Sequence, residues 1–464
     1  MGMHGWGEQA ESLLSAIEDY VRDRLRMDPP TLDGPIEPAD LAARAGRTIT
    51  TDGIGEQAAL RVFGEVLAPA TISTDHPRNL AFIPSAATEA SLLFDLVVAA
   101  SSIYGGSWLE GAGAVHAENE VLAWLAGLSR YPESAGGVVV PGGTQGNLAA
   151  LVTARQWARH QRAERGLPEP RRWVIATSEE SHSSIWHVAR VMDVDVLSVE
   201  VPAEGAGAGR LTGPLLEAAV RERLPHTDEV FAVAAAGGTT NYGIVDALDS
   251  IADVTQRNGW WLHVDGAYGG AGLLCPELWE VFAGIERSDS WIVDPHKWLF
   301  APYDACALIY REPRLARAAH VQHASYLEVL NESPHFNPSD YAVHLSRRAR
   351  GLPLWFSVAV HGTDAYTAAV RQTMAVTAYA ADAVRARPHL ALIREPMLSV
   401  VVFERVGWEQ ADYDAWSQGL LAAGTAFVTP TRHRGRTVTR LAIVNPRTTP
   451  ADIDTVLDSL PACG

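Results

Sequence analysis

Between Gly136 and Val264 short apolar runs alternate with stretches of helical spacing, and this alternation limits the possible folds more than any other feature of the chain. Gly136–Val140, Trp173–Thr177, Val194–Val201, Val230–Ala236 and Trp260–Val264 read as strands. Leu148–Arg162, Ser183–Met192, a stretch from Leu215 and Asp246–Asn258 read as the intervening helices. Strands too apolar to alternate must be covered on both faces, so the pattern predicts an α/β fold with a mostly parallel sheet. In such sheets ligands bind beyond the carboxyl ends of the strands. The segments just after these strands are therefore expected to converge on one edge.

Outside this region the pattern is weaker. Glu8–Leu25 spaces apolar residues as an amphipathic helix, which Asp28-Pro29-Pro30 ends. A second helical stretch covers about Gly55–Leu67, and His76–Ser85 is irregular. Glu89–Ser102 reads as a mostly apolar, buried helix, broken by Tyr104–Trp108, and another helix runs from about Ala114 to Leu128. A long helix passes through Trp355, and strands at Met397–Glu404 and Val438–Val444 mark a smaller α+β unit. The expected division is an N-terminal helical segment (1–88), a large domain (89–352) and a small C-terminal domain (353–464).

The 464 residues allow large shared cores, and a formal net charge of −18 argues against nucleic acid and anionic membranes as partners. The three cysteines, Cys275, Cys306 and Cys463, are widely spaced and give neither a disulfide framework nor a zinc pattern. No secretory signal opens the chain and no apolar run approaches a membrane span. The expectation is a cytoplasmic protein.

Three chemical needs stand out. Lys297 is the one lysine in the apolar, aromatic run SWIVDPHKWL. Burying an ammonium is costly, and a desolvated lysine sheds its proton and attacks carbonyls. The blander reading is a lysine that snorkels to the surface. The turn Gly142-Gly143-Thr144-Gln145-Gly146-Asn147 joins a strand to a helix, where unsatisfied N–H groups make an anion site; the alternative is a tight turn with no ligand. It matches neither GxxxxGK[ST] nor GxGxxG. Asp265 ends the strand WWLHVD, where a carboxylate can pair with a positive ring nitrogen or make an ordinary salt bridge. Gly238-Thr239-Thr240 also follows a strand, and small Gly266 and Ala267 leave room for a flat ring. His182 could stack on the ring's other face, although alone it reads as a surface histidine. An aldehyde, a phosphate and a ring nitrogen together fit pyridoxal 5'-phosphate.

With those residues in view, the chain resembles the group II pyridoxal-phosphate-dependent amino acid decarboxylases, and most of all the aromatic-L-amino-acid branch. The carrying motifs are ESHSSI at Glu180–Ile185, GGTT at Gly237–Thr240, HVDGAYGG at His263–Gly270, DPHKWL at Asp294–Leu299 and LSRRARGLPLWF at Leu345–Phe356.

The resemblance implies a fold-type-I homodimer with active sites at the subunit interface and a sheet of the seven-stranded type. It implies Lys297 as the Schiff-base lysine, Asp265 as partner of the ring nitrogen, and His182 and Ala267 on the two faces of the ring. Gly143, Thr144, Asn147, Thr240, Asp294 and His296 complete the expected cofactor contacts. Tyr326 matches a mobile-loop tyrosine that protonates the substrate carbon in the neighbouring subunit; phenylalanine there goes with aldehyde formation. Arg347 matches an arginine near the substrate carboxylate, with a structural ion pair the equal alternative. Phe82, Ile83, Pro84 and Tyr104 are the expected substrate contacts and favour an aromatic or bulky apolar L-amino acid, decarboxylated to its amine and CO2. No basic pair offers itself to a distal carboxylate, which disfavours glutamate.

Some positions depart from the family pattern. Asp294 stands where many relatives have asparagine, Ala236 where aromatic-branch relatives have threonine, and Gly106 where a bulky aromatic is expected. The alternatives are an aldehyde synthase or lyase on a specialised amino acid, or a non-catalytic homologue. His320 and His323 suggest a metal pair on paper but lack a third ligand, and read as surface loop histidines.

Overall fold

The computed structural model describes residues 4–461 apart from 206, 225, 333 and 334; Cys463 lies outside the described residues. Seven strands form the large sheet: β1 (Gly136–Val140), β2 (Val174–Ser178), β3 (Asp195–Val199), β4 (Val230–Ala236), β5 (Trp261–Asp265), β6 (Ser290–Val293) and β7 (Cys306–Tyr310). Their order is β1-β7-β6-β5-β4-β2-β3. Neighbours from β6 through β3 pair in parallel, whereas β7 runs antiparallel to both β6 and β1.

The sequence reading places no strand at Cys306–Tyr310. The run CALIY is wholly buried and shows no alternation, and no helix separates it from β6. A parallel return needs a long crossover, usually a helix, so the strand that follows this helix-free connector comes back antiparallel. The connector holds Asp294–Trp298 and is therefore pinned at both ends to central strands.

The sheet is covered on both faces. On one side Val139, Val233, Leu262, Val264 and Ile309 pack in a core that includes the helices Gly213–Arg223 and Leu248–Asn258. On the other, Val138, Val140, Ile175, Ile292 and Leu308 pack against the helix Gly143–Glu164. Adjacent strand residues such as Leu308 and Ile309 go to opposite cores, as the pleat requires.

A second sheet of β8 (Leu390–Leu392), β9 (Val400–Arg405), β10 (Pro430–His433) and β11 (Arg436–Ala442) has the order β10-β11-β9-β8, all antiparallel. The helices Thr363–Arg385 and Pro450–Asp458 close its core. The irregular stretch near Leu80 is stitched into this unit. Leu80 N–H donates to Phe427 O and Leu80 O accepts from Ala442 N–H, each at 2.9 Å. Leu80 itself is buried in the small core, and Phe82 adopts a left-handed φ of 51° as the chain turns away.

The N-terminal helices Glu8–Arg26, Pro38–Ala45 and Glu56–Val62 bury no residue fully. The helix Glu89–Ala100 corrects an expectation. Only Ser91 and Val98 on it are buried, while Leu93, Leu96 and Val97 are each nearly half exposed. An apolar sequence gives the helix but not what covers it. The helix ahead of β1 also begins earlier than its spacing suggests, at Trp108, because Ser107 caps it by accepting from Glu110 N–H.

Candidate active site

A cavity of about 520 Å³ lies where β1, β4, β5 and β6 end. It gathers Gly143, Thr144, Asn147, His182, Thr240, Asp265, Ala267, Asp294, His296 and Lys297, with Phe82 and Ile83. These come from segments as far apart as Phe82 and Lys297, and all but the Phe82 pair follow strands of the large sheet.

Asp265 ends β5 and is held by a chain of hydrogen bonds. Trp261 Nε1–H donates to Ser290 Oγ at 2.9 Å. Ser290 Oγ lies 2.9 Å from His263 Nδ1, His263 Nε2 lies 2.8 Å from Asn147 Oδ1, and Asn147 Nδ2 donates to Asp265 Oδ2 at 2.9 Å. An indole only donates and an ionised carboxylate only accepts, so the two ends fix every proton between them. Ser290 donates to His263 Nδ1, and His263 carries its proton on Nε2. Burial keeps this histidine neutral, pulling its pKa down to about 4 against the opposing pull of Asp265. The other Asp265 oxygen accepts from Ala267 N–H at 3.2 Å.

The helix Gly143–Glu164 begins without a side-chain cap. Gly142 O takes the N–H groups of Gln145 and Gly146, so those of Gly143 and Thr144 are left to point out of the helix start. Glycine is needed here for close approach. A Cβ on Gly146 would meet Cys306 Sγ and Ile292 at 2.9 Å, and one on Gly143 would meet Asp294 at 3.1 Å and Ala267 at 3.2 Å.

Lys297 lies in the β6–β7 connector with its Nζ 2.9 Å from Asp294 Oδ2. Desolvation lowers its pKa, but Asp294 and then Asp265 outweigh it, so the net direction is upward. The expectation that burial alone would discharge this lysine is corrected: an acidic neighbour three residues back holds the ammonium. Asp294 is 2% exposed and its Oδ1 accepts no hydrogen bond. His296 is buried against Tyr303, with ring centroids 4.8 Å apart, and its pKa is lowered mainly by burial. His182 is exposed, its Nδ1 lies 2.8 Å from Ser184 Oγ and accepts from Ser184 N–H at 3.2 Å, and among the described residues Nε2 has no hydrogen-bond partner.

Four of the sequence candidates fall elsewhere. Pro84 does not line the cavity. The Tyr104 hydroxyl donates to Leu345 O at 3.0 Å, and its ring fills the space that any side chain at Gly106 would need. Arg347 is buried in a bidentate pair with Glu118, at 2.7 and 2.9 Å, and also donates to Gly105 O and Val139 O. Tyr326 is 73% exposed in the turn Ser325–Leu327 and does not reach the cavity of its own chain. His320 is not a surface loop residue: it is buried and bonded through Nε2 to Ala149 O and Thr153 Oγ1. Among the described residues no cluster could hold a metal ion.

Sequence reasoning missed His263, Ser184 and Arg440. His263 was within reach, because residues two apart on a strand share a face. Arg440 carried no local signal. It sits on β11 and donates to Thr240 O at 3.0 Å and Phe82 O at 2.9 Å, both cavity residues. Burial brings its pKa down to about 10, with Tyr268 the one titratable neighbour that pulls the other way.

The residues fit pyridoxal phosphate on this geometry: an uncapped helix start for the phosphate, a fixed carboxylate for the ring nitrogen and an amine between them. Comparison with known proteins agrees. The family described as the pyridoxal-dependent decarboxylase conserved domain matches residues 52–406. An aromatic-L-amino-acid decarboxylase of Bacillus atrophaeus is 29% identical over 81% of this chain and 78% of its own. An L-2,4-diaminobutyrate decarboxylase of Rhizobium meliloti is 32% identical over 88% of this chain and 82% of its own. The crystal structure of Oryza sativa TDC with PLP and tryptamine, 23% identical, superimposes with a TM-score of 0.89 over 99% of this chain and 100% of that one.

Proposed function

The chain belongs to the pyridoxal-dependent decarboxylase family, a family of pyridoxal-phosphate-dependent amino acid decarboxylases, and from that premise we propose that it removes CO2 from an aromatic or bulky apolar L-amino acid to give the amine. The observation that carries the reading is the convergence of Lys297, Asp265, His182 and the open helix start on one cavity. Phe82 and Ile83 supply an apolar wall, and Asp265 and Asp294 are the cavity's only carboxylates among the described lining residues. A second cationic group on a substrate such as diaminobutyrate would therefore have to compete for charges already committed to Lys297 and to the Asn147 chain.

Bound pyridoxal phosphate supplies a pyridinium ring that takes up the electron pair left when CO2 departs. The remaining work falls to side chains. Lys297 Nζ presents the amine that would hold the cofactor's aldehyde carbon. The N–H groups of Gly143 and Thr144 hold the phosphate. Asp265, held in place by Asn147 Nδ2 and Ala267 N–H, would pair with the ring nitrogen. His182 and Ala267, both lining the cavity, would contact the ring. Arg440, a buried cation beside Phe82 and Thr240, receives the substrate's α-carboxylate, the task the sequence reading gave to Arg347.

Tyr326 is exposed and does not line the cavity of its own chain, so a proton from its hydroxyl would be delivered in a second copy. The uncovered apolar residues Leu93, Leu96 and Val97 and the unburied N-terminal helices supply a surface for that copy. A cytoplasmic homodimer, with residues 1–88 packed on the partner and units at 89–352 and 353–464, completes the reading. Cys275 and Cys306 are unpaired and no described helix is long and apolar enough to cross a membrane.

The test is a product screen. Purified protein with added pyridoxal phosphate is offered single L-amino acids, and amine, aldehyde and keto acid are measured by mass spectrometry. Amine from aromatic or bulky apolar substrates is expected; amine from diaminobutyrate alone would overturn the substrate class. Tyr326→Phe should lose amine and gain aldehyde.

A further inference from the structure

We propose that Asp294 takes the proton from the Lys297 ammonium when the cofactor is captured, and that the resulting neutral acid donates a hydrogen bond to the cofactor's phosphate. The inference rests on Lys297 and the helix start at Gly143 being the attachment points proposed above.

Asp294 serves two neighbours with opposite demands. Its Oδ2 lies 2.9 Å from Lys297 Nζ, which requires a carboxylate. Both of its oxygens lie beside the helix start, where a Cβ on Gly143 would sit 3.1 Å from Oδ2 and 3.3 Å from Oδ1, and Oδ1 is buried with no hydrogen bond among the described residues. A carboxylate buried against a phosphate dianion is repelled. A carboxylic acid in the same place is a donor. One proton meets both demands, and the adjacent ammonium has to lose one before its nitrogen can form a bond.

The step balances. Lys297 Nζ gives one proton to Asp294 Oδ2, and its freed lone pair forms the bond to the aldehyde carbon. The carbonyl oxygen leaves as water with the two remaining amine protons. Nothing is oxidised or reduced, and no proton reaches solvent.

The other groups that face this pair do not compete for the proton. On the same connector, burial lowers the pKa of His296, whose Nε2 is 3.6 Å from Asp294 Oδ2, and raises that of Tyr303. On β7, burial and Asp294 raise the Cys306 thiol. On β5, Asp265 is committed to Asn147, and the helix start contributes backbone N–H groups and the Thr144 hydroxyl.

The test measures cofactor binding, not turnover. Dissociation constants for pyridoxal phosphate are measured by absorbance from pH 7 to 9 for the wild type and the isosteric variant Asp294→Asn. If bound Asp294 holds a proton, raising the pH strips it and restores the repulsion, so the wild-type constant rises relative to the variant's, by up to about tenfold per pH unit. If Asp294 stays ionised throughout, wild-type binding releases the Lys297 proton and the ratio stays constant or falls with pH, which overturns the proposal. A second measurement uses the wild type alone: its affinity for pyridoxal phosphate should fall with pH more steeply than its affinity for pyridoxal, which has no phosphate. Equal slopes would also overturn it. Borohydride reduction followed by peptide mass mapping separates the premises. A label on another lysine sinks the Lys297 assignment and this inference with it, whereas a label on Lys297 with a constant ratio sinks this inference alone.

Discussion

Asp265 and Asp294 sit in the same cavity at the ends of neighbouring strands, yet they are held in opposite ways. Asp265 is fixed from behind by a hydrogen-bond chain through Asn147, His263, Ser290 and Trp261, with no cation in that chain. Asp294 has a cation on one oxygen and nothing on the other. A carboxylate with committed donors keeps its charge and its place, whereas one with an empty acceptor is free to change its protonation when a ligand arrives. The difference arises from local context. Asp265 belongs to a strand whose facing helix supplies Asn147, and Asp294 opens a loop whose nearest polar group is the lysine it must release.

Removing the cation is the harshest way to break this contrast. Lys297→Ala should abolish product formation and leave Asp294 buried beside no cation, at a cost of about 3 kcal/mol in unfolding free energy. Adding Asp294→Asn should restore most of that stability and none of the turnover, as denaturant unfolding and product assays would show. Stability unchanged in the single variant would mean that the pair contributes nothing to the fold.

Asn147→Leu makes Asp265 resemble Asp294 by removing its donor and stranding His263 Nε2. Cofactor affinity and kcat should each fall roughly 10- to 100-fold, in line with the loss of an orienting partner, read by absorbance titration and steady-state kinetics. Unchanged values would detach the hydrogen-bond chain from function.

A third contrast is with pH, and it touches stability alone. Burial holds the folded His263 pKa at about 4, below the value of about 6.5 in an unfolded chain. The unfolded state therefore takes up this proton first. The contribution is complete above pH 6.5 and is lost as pH falls toward 4, by up to about 3 kcal/mol. His263→Gln should flatten that part of the acid unfolding profile, and a profile that keeps its slope would place the acid sensitivity elsewhere.

Much of the fold and part of the site were legible in the sequence. The apolar runs of β2, β4 and β5 pair in parallel as their alternation with helices predicts, β1 joins the same sheet through the antiparallel β7, and the segments after the strands meet at one edge. That geometry alone brought Gly143, Asp265 and Lys297 together. β7 was not legible, because no helical stretch sets its five residues apart from the connector and its antiparallel return depends on what that connector lacks. The exposed face of Glu89–Ala100 was misread for a related reason: apolar spacing shows that a surface wants cover, not which surface covers it.

The sequence by itself determined the layered α/β architecture and the chemistry available at the sheet's edge, since periodicity and residue type are local properties. Tertiary structure decided which charges face which. It locked Arg347 onto Glu118, bonded Arg440 of β11 to the backbone of the cavity residues Thr240 and Phe82, and left Tyr326 exposed. It also set Asp294 against Lys297, so that the lysine is held as a cation where burial alone would have discharged it. Distances between side chains far apart in the chain set these outcomes, because electrostatic energies depend on separation and burial, which no stretch of sequence encodes.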